Sequence, residues 1–153
     1  MKKLVVYYSK TGNTKKIARE IAKHTKADIE EIIDQKERRG ILNWLIAGRD
    51  GMKKKLTKIK YSKDPSKYDL IILGTPVWGW NMAPSIRTYF SENKGKIKRV
   101  AFFCTSGGTN ITQTFSDMES ASKKPIAKLS IVQQYVKSNN YSDQLNEFCG
   151  KLK

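Results

Sequence analysis

The hydrophobic residues of this chain form short strand-like runs that alternate with helix-like stretches. Five runs predict strands, at residues 4–8, 27–33, 69–74, 99–104 and 127–136. The run at 69–74 is continuously apolar, which is typical of a strand buried on both faces of a parallel sheet. Apolar residues recur at helical spacing within 15–26, 84–93, 110–122 and 142–152. The pattern predicts an α/β fold, with a three-layer, doubly wound, five-stranded parallel sheet.

One part of the chain fits this alternation less well. Gly40 to Leu56 carry a partly helical pattern that Gly48 and Gly51 interrupt, which predicts a helix with a weak point or two short pieces. The basic stretch from Lys53 to Lys67 is expected to be an exposed connection. No repeat or low-complexity linker divides the chain, so a single domain over residues 1–153 is expected.

The turn after the first strand has the composition of an anion site. It consists of Ser9, Lys10, Thr11, Gly12, Asn13 and Thr14 and leads into the first helix. A helix N-terminus offers unpaired N–H groups and partial positive charge, and a glycine allows close approach of a ligand. This predicts a phosphate site. The alternative is a plain connection capped by Asn13 or Thr14. Lys15 and Lys16 oppose the helix dipole, and a dianionic ligand would turn that opposition into attraction.

Two further loops follow strands at the same expected edge of the sheet. Residues 75–82 include two of the three tryptophans, Trp78 and Trp80, on which a flat aromatic ligand could stack. The alternative is that both tryptophans cap the hydrophobic core. The loop after the fourth strand is Thr105-Ser106-Gly107-Gly108. Ligands of doubly wound sheets bind beyond the carboxyl ends of the strands, where these loops are expected to meet.

Together these features resemble the flavodoxin-like FMN-binding family over essentially the whole chain. The resemblance implies strand order 2-1-3-4-5 and FMN as the cofactor, with the phosphate held by the turn from Ser9 to Thr14. It places one side of the isoalloxazine, with Trp78 or Trp80 stacked on it, along Thr75, Pro76, Val77, Trp78, Gly79, Trp80 and Asn81. Gly79 matches a glycine whose peptide can reorient toward N5 of reduced flavin. The pyrimidine edge would contact Thr105, Ser106, Gly107 and Gly108. FMN is favoured over FAD because one compact domain offers no obvious second nucleotide site.

Three departures from the family pattern are visible. The third loop lacks the aromatic residue that often covers the other face of the flavin, and the nearest one, Phe115, is expected in a helix. That loop also lacks the acidic residues common there. The chain is strongly basic, whereas well-known flavodoxins are acidic.

The formal net charge is +16, and half of it is local. Residues 38–67 contain ten basic and two acidic side chains. Such a positive field attracts an acidic redox partner, nucleic acid or an anionic membrane. An equally supported interpretation is that the charge only keeps the protein soluble. Few aromatic residues interleave the stretch, so no specific nucleic acid is expected. The fully reduced flavin is anionic, and positive surroundings stabilise it. We therefore expect the semiquinone/hydroquinone potential to be less negative than that of an acidic flavodoxin.

Several other functions are disfavoured by missing residues. Cys104 and Cys149 match no metal-ligand spacing and His24 is the only histidine, so no metal site is expected. Cys104 is followed six residues later by Asn110 rather than the arginine of a cysteine-dependent phosphatase. A response regulator needs an acceptor aspartate where Gly74 stands, and no P-loop motif is present. No apolar run is long enough to cross a bilayer, and a cytoplasmic protein is expected.

The sequence leaves two functions open. The first is an electron carrier between redox partner proteins, in which no residue is assigned a catalytic role. The alternative is an NAD(P)H-dependent flavin or quinone reductase, because Trp80-Asn81-Met82-Ala83-Pro84 is similar to the matching loop of those enzymes. No GxGxxG fingerprint supports a nicotinamide site. The oligomeric state is not predicted.

Overall fold

The computed structural model describes residues 1–36, 45, 46, 48, 49 and 52–153. In chain order its strands are β1 (Lys3–Tyr7), β2 (Asp28–Glu31), β3 (Ile33–Asp34), β4 (Ile59–Lys60), β5 (Leu70–Trp78), β6 (Asn81–Met82), β7 (Val100–Ser106) and β8 (Lys128–Val132). A parallel sheet in the order β2-β1-β5-β7-β8 forms the centre. The five parallel strands therefore follow the predicted order 2-1-3-4-5, and the predicted fold class is confirmed.

Helices cover both faces of this sheet. They are α1 (Asn13–Thr25), α2 (Pro84–Glu92), α3 (Thr112–Ala121), α4 (Gln133–Ser138) and α5 (Ser142–Gly150). Alternate residues of each strand point to opposite faces. Val6 and Ile71 therefore join the core under α2 and α3, whereas Val5 and Ile72 join the core under α1, α4 and α5.

The ends of the first two long helices follow from local chemistry. Gly12, at φ 95°, turns the chain into α1, and Lys26 ends the helix in the same left-handed region, with its N–H donating to the carbonyl of Ala22. Pro84 begins α2, where its fixed φ is suitable and its missing N–H costs nothing. Ile86, Tyr89 and Phe90 face inward, as the spacing predicts.

Four parts of the prediction differ from the structure. The predicted strand 27–33 is divided, because β2 ends at Glu31 and Ile33 belongs to β3, which pairs with β4. The last part of the predicted strand 127–136 is helical, because β8 ends at Val132 and α4 begins at Gln133. The third parallel strand does not end at Gly74 but continues to Trp78 and turns back into β6. The connection from Lys53 to Lys67 contains β4, which pairs antiparallel with β3.

Part of the predicted helical segment from Gly40 to Leu56 can be compared with the structure. Leu45, Ile46, Gly48, Arg49 and Met52 are helical. Residues 37–44, 47, 50 and 51 lie outside the described part of the chain. Among the helices that the structure describes, none is both long enough and apolar enough to cross a bilayer.

Gly74 lies in the central strand at a point where the core has no space for a side chain. A Cβ built on Gly74 would lie 1.9 Å from Cζ of Phe103, its neighbour on β7, which is fully buried. We expect Gly74→Ala to lower the free energy of unfolding by about 1–3 kcal/mol, the usual cost of overpacking a core. Urea unfolding followed by circular dichroism measures the change.

Gly150, the last residue of α5, provides a matched control. A Cβ there would have no neighbour within 4 Å. Gly150→Ala should leave stability unchanged or raise it slightly, because alanine has the higher helix propensity. Equal stability of the two variants would show that Phe103 can move away from Gly74.

Candidate functional site

The first helix begins without a side-chain cap. The N–H of Gly12 donates to Oγ of Ser9 at 3.1 Å, and no side chain caps the N-terminus of α1. The first turn also contains no acidic residue. The N–H groups of the first three residues, 13–15, have no intrahelical acceptor, whereas the N–H of Lys16 donates to the carbonyl of Gly12 at 3.0 Å. The alternative interpretation of this turn, a helix capped by the side chain of Asn13 or Thr14, is therefore wrong.

Thr14 connects the first loop to the third. Its Oγ1 lies 2.8 Å from Oγ1 of Thr105, and both side chains are buried. This hydrogen bond fixes the N-terminus of α1 beside the end of β7. Oγ of Ser106 donates to the carbonyl of Gly108, which folds the third loop back on itself.

The second loop is a tight hairpin between β5 and β6. Trp78 pairs with Asn81, so the turn has two residues, Gly79 at φ 53° and Trp80 at φ 62°. Positive φ at both positions is the type I′ turn, which suits a twisted two-residue hairpin but is strained for a tryptophan. The Nδ2 group of Asn81 donates to the carbonyl of Gly79 at 3.2 Å, and Oγ1 of Thr114 donates to the carbonyl of Trp80 at 2.8 Å.

A buried carboxylate on α3 holds the strand that follows the same hairpin turn. Asp117 on α3 is 3% exposed, and its Oδ2 accepts hydrogen bonds from the N–H of Met82 at 3.2 Å and from Nη2 of Arg87. Nζ of Lys54 lies 3.6 Å from the other carboxylate oxygen. Sequence reasoning missed Thr114 and Asp117. The only available signal was two polar residues on the inward face of an amphipathic helix.

The three loops line one cleft of about 220 Å³. Ten of the predicted residues line it: Lys10, Thr11, Asn13, Thr14, Pro76, Val77, Trp78, Thr105, Ser106 and Gly107. The edge of Tyr8 packs against the Trp78 ring, with ring centroids 5.5 Å apart, and Nζ of Lys10 lies 5.8 Å from the Trp78 centroid. The cleft thus joins a helix N-terminus to an aromatic wall.

The other predicted residues surround the cleft without lining it. Thr75 is fully buried, and its Oγ1 donates to the carbonyl of Pro76 and accepts from the N–H of Ala83. Asn81 supports the hairpin, as described above. Gly79 faces Met52 rather than the cleft, and the Trp80 side chain is 54% exposed. Ser9, Gly12 and Gly108 shape the backbone of the first and third loops.

One lining residue was not predicted. Gln133, the first residue of α4, reaches the cleft from the carboxyl end of β8. The sequence pattern predicts a strand over 127–136, and the pair of glutamines that interrupts the apolar alternation at 133–134 is the signal against it.

Lys15 and Lys16 do not line the cleft. Nζ of Lys15 lies 2.7 Å from the Glu31 carboxylate. Nζ of Lys16 donates to the carbonyl of Val136 at 2.9 Å and to Oδ1 of Asn139 at 2.5 Å. Their placement in the first turn is therefore explained by these partners and gives no support to an anion site.

The thiol beside the third loop is inert. Cys104 is 1% exposed, and burial raises its pKa to about 12, so the reactive thiolate is scarce at neutral pH. Within the described residues, no group of three or more His, Cys, Asp and Glu side chains could hold a metal ion.

A comparison with protein families decides the relationship of this chain. The family model described as flavodoxin matches residues 2–132. The chain belongs to the flavodoxin family. The match includes all three loops of the cleft, whereas Gln133 lies just beyond it. A comparison with curated protein sequences finds no match.

Solved structures of other flavodoxin-like proteins have the same fold. A flavoprotein from Lactobacillus acidophilus NCFM in complex with FMN is 28% identical, with a TM-score of 0.72 over 92% of this chain and 98% of that chain. A WrbA-like flavodoxin from Agrobacterium tumefaciens is 14% identical, with a TM-score of 0.65 over 97% and 95% of the two chains. An NADH:FMN oxidoreductase in its apo form is 13% identical, with a TM-score of 0.56 over 97% and 89%. The last two show similarity of fold alone.

The two thiols of this flavodoxin should differ in reactivity. Burial raises the pKa of Cys149 as well, but its side chain is only half-buried. At pH 8 we expect iodoacetamide to label Cys149 slowly and to leave Cys104 unlabelled until the protein is unfolded. Raising the pH to 9 should accelerate labelling at Cys149 first, because more of its thiolate forms. Peptide mass spectrometry reports both sites, and Cys149→Ser is the control. Labelling of Cys104 in the folded protein at pH 8 would contradict its assignment as an inert core thiol.

Proposed function

We propose that this chain binds FMN and carries electrons between redox partner proteins. The observation that carries the proposal is the single cleft that joins the uncapped N-terminus of α1 to the Trp78 ring. FMN has a dianionic phosphate at one end and a planar ring at the other, and the two ends of the cleft differ in the same way. The FMN complex of the Lactobacillus acidophilus flavoprotein, at 28% identity, supports the choice of cofactor.

The lining residues divide into three groups by chemistry. Thr11, Asn13 and Thr14 would hold the phosphate, with the N–H groups of the first helical turn. Pro76, Val77 and Trp78 would lie against the ring. The third loop, with Thr105, Ser106 and Gly107, would offer hydrogen bonds to the polar edge of the ring. When bound, FMN supplies redox chemistry, and these residues bind it, orient it and exclude water.

The charge at the cleft bears on the potential of the bound flavin. Among the described lining residues none is acidic, and Lys10 places a cation beside Trp78. Positive surroundings stabilise the anionic, fully reduced flavin. This agrees with the less negative second potential that the composition predicts.

A reductase is a second candidate because another cavity adjoins the cleft. This cavity has a volume of about 560 Å³ and lies between the hairpin and the segment from Leu45 to Lys53. It shares Val77 and Trp78 with the cleft, so a small molecule there would lie beside the proposed flavin site. The volume is within the usual range for ligand pockets.

A charge placed at the start of α1 separates FMN binding from folding. We expect Asn13→Asp to stabilise the FMN-free protein by about 0.3–1 kcal/mol, because the carboxylate complements the helix dipole. The same carboxylate should weaken FMN binding at least about tenfold, because it repels the phosphate. Quenching of FMN fluorescence measures affinity, and urea unfolding measures stability.

Ser142→Asp is the matched control, because Ser142 is the first residue of α5 and lies outside the cleft. That variant should bind FMN like the parent protein. Unchanged FMN affinity in Asn13→Asp would overturn the phosphate assignment.

The two candidate functions differ in how the FMN-loaded protein is reduced. For a carrier we expect photoreduction in two spectrally distinct one-electron steps. We also expect no oxidation of NADPH in the presence of a soluble quinone beyond that caused by free FMN. Single-step reduction together with steady NADPH oxidation would instead establish the reductase.

A further inference from the structure

Large apolar side chains are exposed around the tip of the hairpin. Leu45, Met52, Leu56 and Trp80 are each 54–59% exposed, and they are four of the nine large apolar residues classed as exposed in the described part of the chain. The nearby cations are Arg49, Lys53, Lys54 and Lys55, all of them exposed. We call these eight residues the apolar-basic face.

Residues of the apolar-basic face and their neighbours in sequence contact the hairpin, α3 and α2. A Cβ built on Gly79 would lie 2.2 Å from Cγ of Met52 and 2.6 Å from the carbonyl oxygen of Gly48. Gly48 and Met52 therefore pack directly on the hairpin. Nζ of Lys54 reaches the Asp117 carboxylate at 3.6 Å. The N–H of Thr57 donates to Oγ1 of Thr88 at 3.0 Å, which attaches the end of the segment to α2. The 560 Å³ cavity opens within this face.

We propose that the apolar-basic face docks on an anionic lipid surface. Three of its four cations are lysines, and residues 52–56 contain no acidic side chain. Protein interfaces favour arginine and are depleted in lysine, whereas membrane-surface segments combine lysine with exposed leucine and tryptophan. Lysine stems can follow apolar side chains into the interface while the ammonium groups remain with the headgroups. Charge and composition therefore favour lipid over an acidic protein.

Docking in this way would turn the hairpin, and with it the cleft, toward the membrane. That consequence rests on the proposed FMN site. The lipid contact itself does not, because no cleft residue belongs to the apolar-basic face.

Co-sedimentation with vesicles tests the proposal. The FMN-free and the FMN-loaded protein are each mixed with vesicles of phosphatidylcholine alone and with vesicles that contain about one third phosphatidylglycerol. We expect both forms to bind the anionic vesicles and neither to bind the neutral ones, with affinity falling as salt rises. Tryptophan emission should shift to the blue on binding, and Trp80→Phe should diminish this shift.

Lys53→Gln/Lys54→Gln/Lys55→Gln tests the cations. Each lysine near an anionic surface contributes about a fivefold gain in affinity at low salt, so the triple variant should lose about a hundredfold. Leu56→Asp tests the apolar component and should weaken binding even when the lysines are intact.

A second triple variant removes the same charge from the other side of the protein. Lys94, Lys96 and Lys124 are exposed and lie in the connections that lead into β7 and β8, at the opposite edge of the sheet from the cleft. Their replacement by glutamine should change vesicle affinity much less.

Equal losses in the two triple variants would overturn the proposal, because they would show that net charge alone drives binding. The proposal would also be overturned, in favour of an acidic protein partner, by a different pair of results. In that case the protein does not bind anionic vesicles, and immobilised polyglutamate retains it only while Lys53, Lys54 and Lys55 are present. FMN affinity, measured separately, shows whether the proposed cofactor site has failed instead.

Discussion

The parallel register of β1, β5 and β7 is the constraint on which the site depends. Tyr7 pairs with Gly74, and Gly74 pairs with Phe103, so the three strands stay level up to the point where β1 ends. The chain beyond each strand must leave the sheet at one edge. The uncapped turn before α1, the hairpin that carries Trp78 and a polar loop, far apart in sequence, are thereby brought into one cleft. The hydrogen bond between Thr14 and Thr105 connects the first and last of these loops directly.

The sequence predicted the elements better than their ends, for a physical reason. Apolar runs such as 69–74 indicate which residues are buried, and burial determines which segments form the central sheet and its flanking helices. The ends depend on contacts that periodicity does not contain. β5 continues past Gly74 because Trp78 pairs with Asn81. α4 begins at Gln133 although Val132 before it and Val136 within it continue the apolar pattern of a strand. The predicted loop residues did converge, yet the sequence could not distinguish the tryptophan that lines the cleft from the one that is exposed.

The positions of the lysines in the fold change the interpretation of the net charge. In the sequence, the opposition of Lys15 and Lys16 to the helix dipole favours a nearby dianion, but in the fold Glu31 and the carbonyl of Val136 bind them. The lysines from 53 to 55 are exposed beside exposed apolar groups, and their position rather than their number gives the surface its character. Composition alone left an acidic protein partner, nucleic acid, an anionic membrane and a solubilising face open.

The hairpin carries strain that its surroundings must balance. A tryptophan at φ 62° costs on the order of 1 kcal/mol, and a buried carboxylate costs several unless it is paired. Asp117 keeps its two hydrogen bonds only while the N–H of Met82 and Arg87 are in place, and Thr114 holds the carbonyl of Trp80 from the same helix. If β6 moved away, Asp117 would lose the Met82 N–H and Trp80 its Thr114 partner. The network therefore adds little net stability but selects one conformation of the loop beside the cleft. A planar ligand stacks best on an aromatic side chain that is held in one position. Asp117 and Thr114 of α3 hold the hairpin that follows Trp78, although neither residue lines the cleft.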